Sequence, residues 1–159
     1  MNMNSFKIIP LVGFGKIILG SSIKQTKILL GEPKDIKRQN YHNGLYTIIH
    51  SYTSPLIDLS FDSDENFKLG GITVFESKAT LNGEKLIGLN ENEFKILIEK
   101  LQIGKLILEE DLVELNSRNY EIDEQGLMFW IVNSILQNVT IIPKYDNKIN
   151  KPIWPQNVS

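Results

Sequence analysis

The chain contains no cysteine, which excludes disulfides, thiolate metal sites, a cysteine nucleophile and a lipid attached through cysteine. It has two histidines, His42 and His50, and they form no HxH or HExxH pattern. With Asp58 they would make only a sparse metal site, so no metal and no cofactor is expected. No stretch approaches the roughly 20 apolar residues that span a bilayer, so no membrane-spanning helix is expected. The longest early apolar run, Ile8 to Leu19 behind Lys7, is broken by Pro10, Gly13, Gly15 and Lys16. It lacks a small-residue cleavage site and does not read as a secretory signal. These absences together point to a cytoplasmic protein.

Net charge is also small, at −2, which argues against a strongly basic nucleic-acid binder. Its distribution is uneven. Residues 1–50 carry Lys7, Lys16, Lys24, Lys27, Lys34, Lys37 and Arg38 against Glu32 and Asp35. Residues 105–124 reverse the balance, with Glu109, Glu110, Asp111, Glu114, Glu121, Asp123 and Glu124 against Lys105 and Arg118. Such polarity steers a partner of opposite charge, and here that partner would be basic.

What is present is an ordinary globular composition, 42% hydrophobic and 23% charged over 159 residues, enough for one domain with a buried core. The chain is organised around a pattern that occurs twice. Leu19 to Leu30 and Ile87 to Leu101 both place a glycine two residues before a small polar cap, followed by apolar residues at helical spacing. Gly20 matches Gly88, Ser22 matches Asn90, Thr26 matches Phe94, Leu29 matches Leu97 and Leu30 matches Ile98, at a constant offset of 68.

In the first copy, Ser21 or Ser22 caps a helix whose stripe is Ile23, Thr26, Leu29 and Leu30, ended by Gly31 and Pro33. A strand-like period then runs from Asp35 to about Glu84. Asn43-Gly44 is expected to make a tight primed turn joining Ile36–His42 to Leu45–Tyr52, with further strands at Leu56–Phe61 and Gly71–Phe75 and a reversal at Asn82-Gly83. In the second copy, Asn90 and Glu93 form a capping box, and Phe94, Leu97, Ile98 and Leu101 form the stripe. Glu91, Lys95 and Glu99 are assigned to its exposed face, with Lys95–Glu99 as a weak ion pair, and Gly104 closes the helix. Short strands Lys105–Leu108 and Asp111–Leu115 follow, then Arg118–Ile122, a nine-residue strand Leu127–Ile135, and Asn138–Pro143. From Lys144 the chain reads as an irregular tail, tied to the body by Trp154.

The expected fold class is α+β: two tandem helix-plus-antiparallel-meander repeats, about 15–84 and 85–143, in a single domain 1–143. They would form one sheet of about seven or eight strands with both helices on one face, leaving the other face open.

Gly20, Ser22 and the Leu29-Leu30-Gly31-Glu32-Pro33 stretch, with Gly88, Asn90 and Leu97-Ile98, resemble the tandem α/β repeats of the β-lactamase-inhibitor-protein-like superfamily over roughly residues 15–143. The absent cysteines and signal separate the chain from that superfamily's lipoproteins and secreted inhibitors. By kind, the chain is also similar to the small acidic-faced immunity proteins that neutralise toxins from neighbouring cells. That similarity implies an acidic surface steered onto a basic toxin.

Other candidate chemistry is thin. Asp62-Ser63-Asp64-Glu65-Asn66 begins like a calcium loop but has Phe67 for the required glycine and Thr73 for the final glutamate. Gly13-x-Gly15-Lys16 lacks the rest of a phosphate loop, and no serine sits in a nucleophile elbow. Tyr41, Tyr46 and Tyr52 with Lys34, Lys37 and Arg38 leave a nucleic-acid-binding module as an alternative, and a small enzyme of unrecognised type as a further one. The leading expectation is a non-enzymatic binding protein. Its partner contacts would be Glu109, Glu110, Asp111, Glu114, Glu121, Asp123 and Glu124, with Trp130 as an apolar anchor.

Overall fold

Residues 6–155 are described by a computed structural model. Two capping boxes start the helices. Ser22 and Asn90 each accept a hydrogen bond from the amide three residues on, and the side chains of Gln25 and Glu93 accept from the cap amides in return. The boxes satisfy amides that the first helical turn leaves free. Helix α1 spans Ile23–Leu30 and α2 spans Glu91–Leu101. Helix α2 ends before Gly104, with Gln102 itself at φ 49°.

A small five-stranded sheet holds β1 (Lys7–Ile9), β2 (Gly13–Phe14), β3 (Ile17–Ile18), β8 (Thr80–Leu81) and β9 (Glu84–Lys85). The sequence did not predict it as a separate sheet, because four of its strands are two residues long and show no period. The main sheet holds β4 (Asp35–Asn40), β5 (Tyr46–Thr53), β6 (Leu56–Asp62), β7 (Leu69–Val74), β10 (Ile107–Leu112), β11 (Ser117–Ile122), β12 (Leu127–Val132) and β13 (Ile135–Ile141). Their order is β10-β11-β12-β13-β7-β6-β5-β4, antiparallel throughout. β7 and β13 therefore meet at the centre, where the Thr73 and Thr140 hydroxyls lie 3.1 Å apart, and β4 and β10 form the two edges.

Each helix is tethered to a central strand by a pair of backbone bonds. Gly20 N–H donates to Leu69 O and Leu69 N–H to Ser21 O, both at 2.8 Å. Gly88 N–H donates to Leu136 O and Leu136 N–H to Leu89 O, both at 2.9 Å. The turns entering those strands also match, with Asn66 and Phe67 at φ 54° and 57° and Asn133 and Ser134 at φ 51° and 64°.

All fully buried apolar side chains of the main sheet project from one face. Tyr52, Ile57, Val74, Val139, Phe129 and Tyr120 form one row across six strands, and Leu59, Ile72, Ile141, Leu127 and Ile122 form another. Phe94 and Ile98 of α2 and Phe14, Leu19, Leu81 and Leu86 in and beside the small sheet close the same core. The alternation of apolar and polar residues along each strand is the cause, since successive side chains point to opposite faces.

Several local expectations need correcting. The run Leu127–Ile135 is not one strand: Asn133-Ser134 turns it back, because two successive left-handed residues make a primed hairpin turn. The Asn43-Gly44 hairpin is looser than a two-residue turn. Tyr41 N–H bonds Leu45 O, Gly44 N–H bonds Tyr41 O, and only Gly44 has positive φ, as in a three-residue loop with a glycine bulge. The two strands expected between Lys105 and Leu115 are a single strand, β10, with a bulge between Leu108 and Glu110 and a 3-10 turn after it.

Leu29 is 45% exposed, because Thr26 occupies the centre of the buried arc of α1 and Leu29 lies at its border. The stretch after Lys144 is not wholly irregular either. Lys144–Asp146 and Lys151–Ile153 pair as a two-stranded ribbon, β14 and β15. Lys151 reaches Glu65 at 3.4 Å, and Trp154 covers Gly20 so closely that a Cβ there would lie 3.2 Å from the ring.

Candidate interaction surface on the uncovered sheet face

The other face of the main sheet buries no apolar side chain fully, and its composition changes at the centre. On the β4–β7 half it presents Asp58, Ser51 and Thr73 in one row, and Ser60, Ile49 and Lys37 in the next. On the β10–β13 half, cross-strand register lines up Leu112, Ser117, Val132 and Ile135, then Glu110, Asn119, Trp130 and Asn138, then Ile107, Glu121, Met128 and Thr140. Trp130, Leu112, Ile107 and Ile135 are 37–40% exposed. Trp130 Nε1–H donates to Ser117 Oγ at 2.7 Å, which fixes the indole against the sheet with one surface free. Phe129 is fully buried, whereas Trp130, next to it in the strand and on the opposite face, is 38% exposed.

The seven acidic residues divide between the faces. Glu110 lies opposite Asn119 on the uncovered face, and Glu109 is the extra residue of the bulge beside it. Glu121 belongs to the same face. Burial raises its pKa, and the nearby charges of Glu109 and Asp123 raise it further. Asp111 turns to the helix side, where it accepts from Arg118 Nε at 3.4 Å. Glu124 lies against the backbone of Gly104, and Glu114 sits in the 3-10 turn after β10. Among the described residues, no lysine or arginine lies within ion-pair distance of Glu109, Glu110, Glu114, Glu121, Asp123 or Glu124. The structure thus sets Glu110 and Glu121 among the apolar side chains of β10 and β12, with Glu109 and Asp123 beside Glu121, and separates Asp111 and Glu124 from them. The apolar members Met128 and Val132 were legible from their spacing about Trp130. Ile107 and Leu112 were not, because the bulge sets their phase.

On the helix side the sequence reading misplaced Glu91. It lies three residues before Phe94 and seven before Ile98, so it shares the buried stripe, and it is 8% exposed. Its carboxylate accepts from Tyr120 Oη at 2.5 Å and from Arg118 Nη1 at 2.8 and 3.0 Å, with Lys95 Nζ 3.6 Å away. Lys95 therefore pairs with Glu91 rather than Glu99, in the order that suits a helix. Burial opposes the charge on Glu91. The hydrogen bonds from Tyr120 and Arg118, with the Arg118 and Lys95 charges, outweigh it and hold the pKa below the ordinary carboxylate value. Asn90, Glu91, Asn92, Glu93, Lys95, Ile96, Arg118 and Ser134 line a shallow groove of about 500 Å³ over this cluster.

The remaining candidates resolve into local structure. Gly13 is required because a Cβ there would collide with the Ile17 carbonyl, which makes this glycine part of a tight hairpin. Asp62 accepts from Thr47 Oγ1 at 2.6 Å and Glu65 pairs with Lys151. Arg38 stacks 3.6 Å above the Tyr46 ring, whereas Tyr52 is buried with its hydroxyl donating to Gly31 O. Tyr52 is thus withdrawn from the surface, while Tyr41 is exposed, with its hydroxyl 3.0 Å from Thr47 Oγ1. Among the described residues no group of three or more His, Asp or Glu is placed to hold a metal, and no helix is long and apolar enough to cross a membrane.

His50 is 2% exposed, tilted against Phe61 at 5.1 Å, and its Nδ1 has no hydrogen-bond partner among the described residues. Burial lowers its pKa below 6.5 and Lys27 lowers it further, while Glu32 acts in the opposite direction. A depressed histidine pKa means that the unfolded chain binds the proton first. Stability is therefore full above about pH 6.5 and falls as the pH drops below it. Urea titrations between about pH 7.5 and 5 should show this decline in the parent chain. His50→Leu should remove the His50 part of it without loss of stability at pH 7.5.

No protein-family model and no curated protein matches the chain. Among solved structures it is similar to the crystal structure of a DUF4309 family protein (YjgB) from Bacillus subtilis. The two share 13% identity and a TM-score of 0.49 over 83% of this chain and 84% of that one.

Proposed function

We propose that this chain is a non-enzymatic intracellular binding protein, most concretely an immunity protein that neutralises a toxin domain by covering its active site. One observation carries the reading: the apolar side chains around Trp130 are interspersed with carboxylates that have no cationic partner among the described residues. A ring on a rigid strand is an economical anchor, because it loses little conformational freedom on docking. Unpaired carboxylates beside it steer a basic surface into register. A basic toxin domain fits that combination, and the contacts assigned to it are Glu109, Glu110, Glu121, Asp123 and Trp130, with Asp111, Glu114 and Glu124 adding to the long-range field.

The scaffold reading supports it. We infer two tandem units, each a hairpin, a capped helix and a four-strand meander. The mirrored strand order, the matching tethers at Gly20 and Gly88 and the matching turns at Asn66 and Asn133 favour this. Such a repeat, as in the β-lactamase-inhibitor-protein-like superfamily it resembles, leaves one broad sheet face free for a protein.

The test is affinity capture from bacterial lysate with the parent chain, with Glu109→Lys/Glu110→Lys and with Trp130→Ala. The parent should retain a basic protein at physiological salt. Charge reversal should slow its association by about tenfold or more, and Trp130→Ala should weaken binding by about 2 kcal/mol. Capture of an acidic protein or of nucleic acid, or retention of the basic protein unchanged by either variant, would contradict the proposal.

A further inference from the structure

The main sheet has two free edges of equal length and opposite charge. β4 presents Lys37 and Arg38 with Lys34 just before it, and β10 presents Glu109, Glu110 and Asp111; every residue of both strands is exposed. Like charges on an edge discourage pairing with the same edge of another copy. They do not discourage pairing with the opposite edge. Eight antiparallel strands put β4 and β10 in opposite directions, so a second copy added in the same orientation meets β10 with an antiparallel β4. Both helix layers then lie on the same side.

We propose that copies of this chain associate head to tail, with β4 of one docking on β10 of the next to continue the sheet. The faces agree. Lys37 and Glu110 both belong to the uncovered face, and a register that opposes them sets Ile36 and Arg38 beside Asp111 and Leu108 on the helix side. Ile36 and Leu108 are exposed in the single chain and are covered in the junction. The Lys37–Asp35 pair at 3.9 Å between two exposed side chains is a weak competitor for Lys37. A junction between two different edges does not close on itself, so association continues past the dimer. This inference is independent of the toxin reading, although a basic partner on β10 would compete with it.

Sedimentation at increasing concentration tests it, at about 20 and about 300 mM salt, since exposed charges are screened at the higher value. The expected result is a mass that rises past the dimer at low salt, with an association constant about tenfold lower at high salt. Glu109→Lys/Glu110→Lys alone and Lys34→Glu/Lys37→Glu alone should remain monomeric with unchanged circular dichroism. Mixed together they should associate again, because each restores the other's missing complement. The absence of native cysteine permits a direct check: a Gln39→Cys copy mixed with an Ile107→Cys copy should form mixed disulfides in excess over either homodimer. Monomers at every concentration, association insensitive to salt and charge, or equal yields of all disulfides would each overturn the proposal.

Discussion

Replacing Phe94 by alanine should lower folding stability by about 3–5 kcal/mol, read as a shift in the urea midpoint without a change in slope. Phe94 is fully buried, and its ring centroid lies 4.8 Å from that of Phe129 and 6.1 Å from that of Tyr120, tilted in both pairs. It is the point where α2 meets β11 and β12, and truncation leaves a cavity that three elements would have to close together. The matching position in α1 is Thr26, whose hydroxyl bonds back to Ile23 O at 2.9 Å. Thr26 is the only residue of α1 that is buried. Helix α1 therefore has much less to lose, and its amides should exchange with solvent before those of α2.

Glu91→Ala should cost about 2 kcal/mol, because the buried Tyr120 hydroxyl then lacks its acceptor. For a chain of this size that is a fall of about 4–8 °C in Tm. Glu91→Gln keeps an acceptor for Tyr120 and should cost less, but it removes the charge. The pH dependence separates the two effects. The folded-state pKa of Glu91 is depressed, so its contribution is present above the ordinary carboxylate range and is lost as the pH falls through the folded value. The parent should therefore lose stability below about pH 4.5, and Glu91→Gln should lose less there. An acid limb identical in both proteins would mean that the ion pair contributes nothing to stability.

Much of the fold follows from local chemistry. Ser22 and Asn90 start helices because their side chains answer free amides. Asn82-Gly83 turns because both residues occupy positive φ, at 50° and 82°. What escaped was set by contacts between distant residues. Glu91 reads as surface because it is charged, and only Arg118 and Tyr120, on another strand, make its burial tolerable. Its place in the stripe was nonetheless available, since it matches Ile23 at the same offset of 68 that pairs the two helices.

The acidic segment reads as one patch, yet alternation along the strands and the bulge before Glu110 divide it between two faces. That division decides which carboxylates can act together. Likewise, the apolar run LMFWIVNSI hides its own turn, because Asn133-Ser134 follows six apolar residues of which the last four, Phe129 to Val132, favour extended chain, and the apolar Ile135 follows it.

Trp154 lies over Gly20, whereas a Cβ at the matching Gly88 would meet nothing within 4 Å. During synthesis the residues that cover the first helix tether are thus made after the whole of the second sheet half. The amino-terminal half can assemble its hairpins early, but its glycine platform stays bare until the ribosome has passed residue 154. A released chain truncated after residue 143 should accordingly be cut by protease around α1 while the full chain resists.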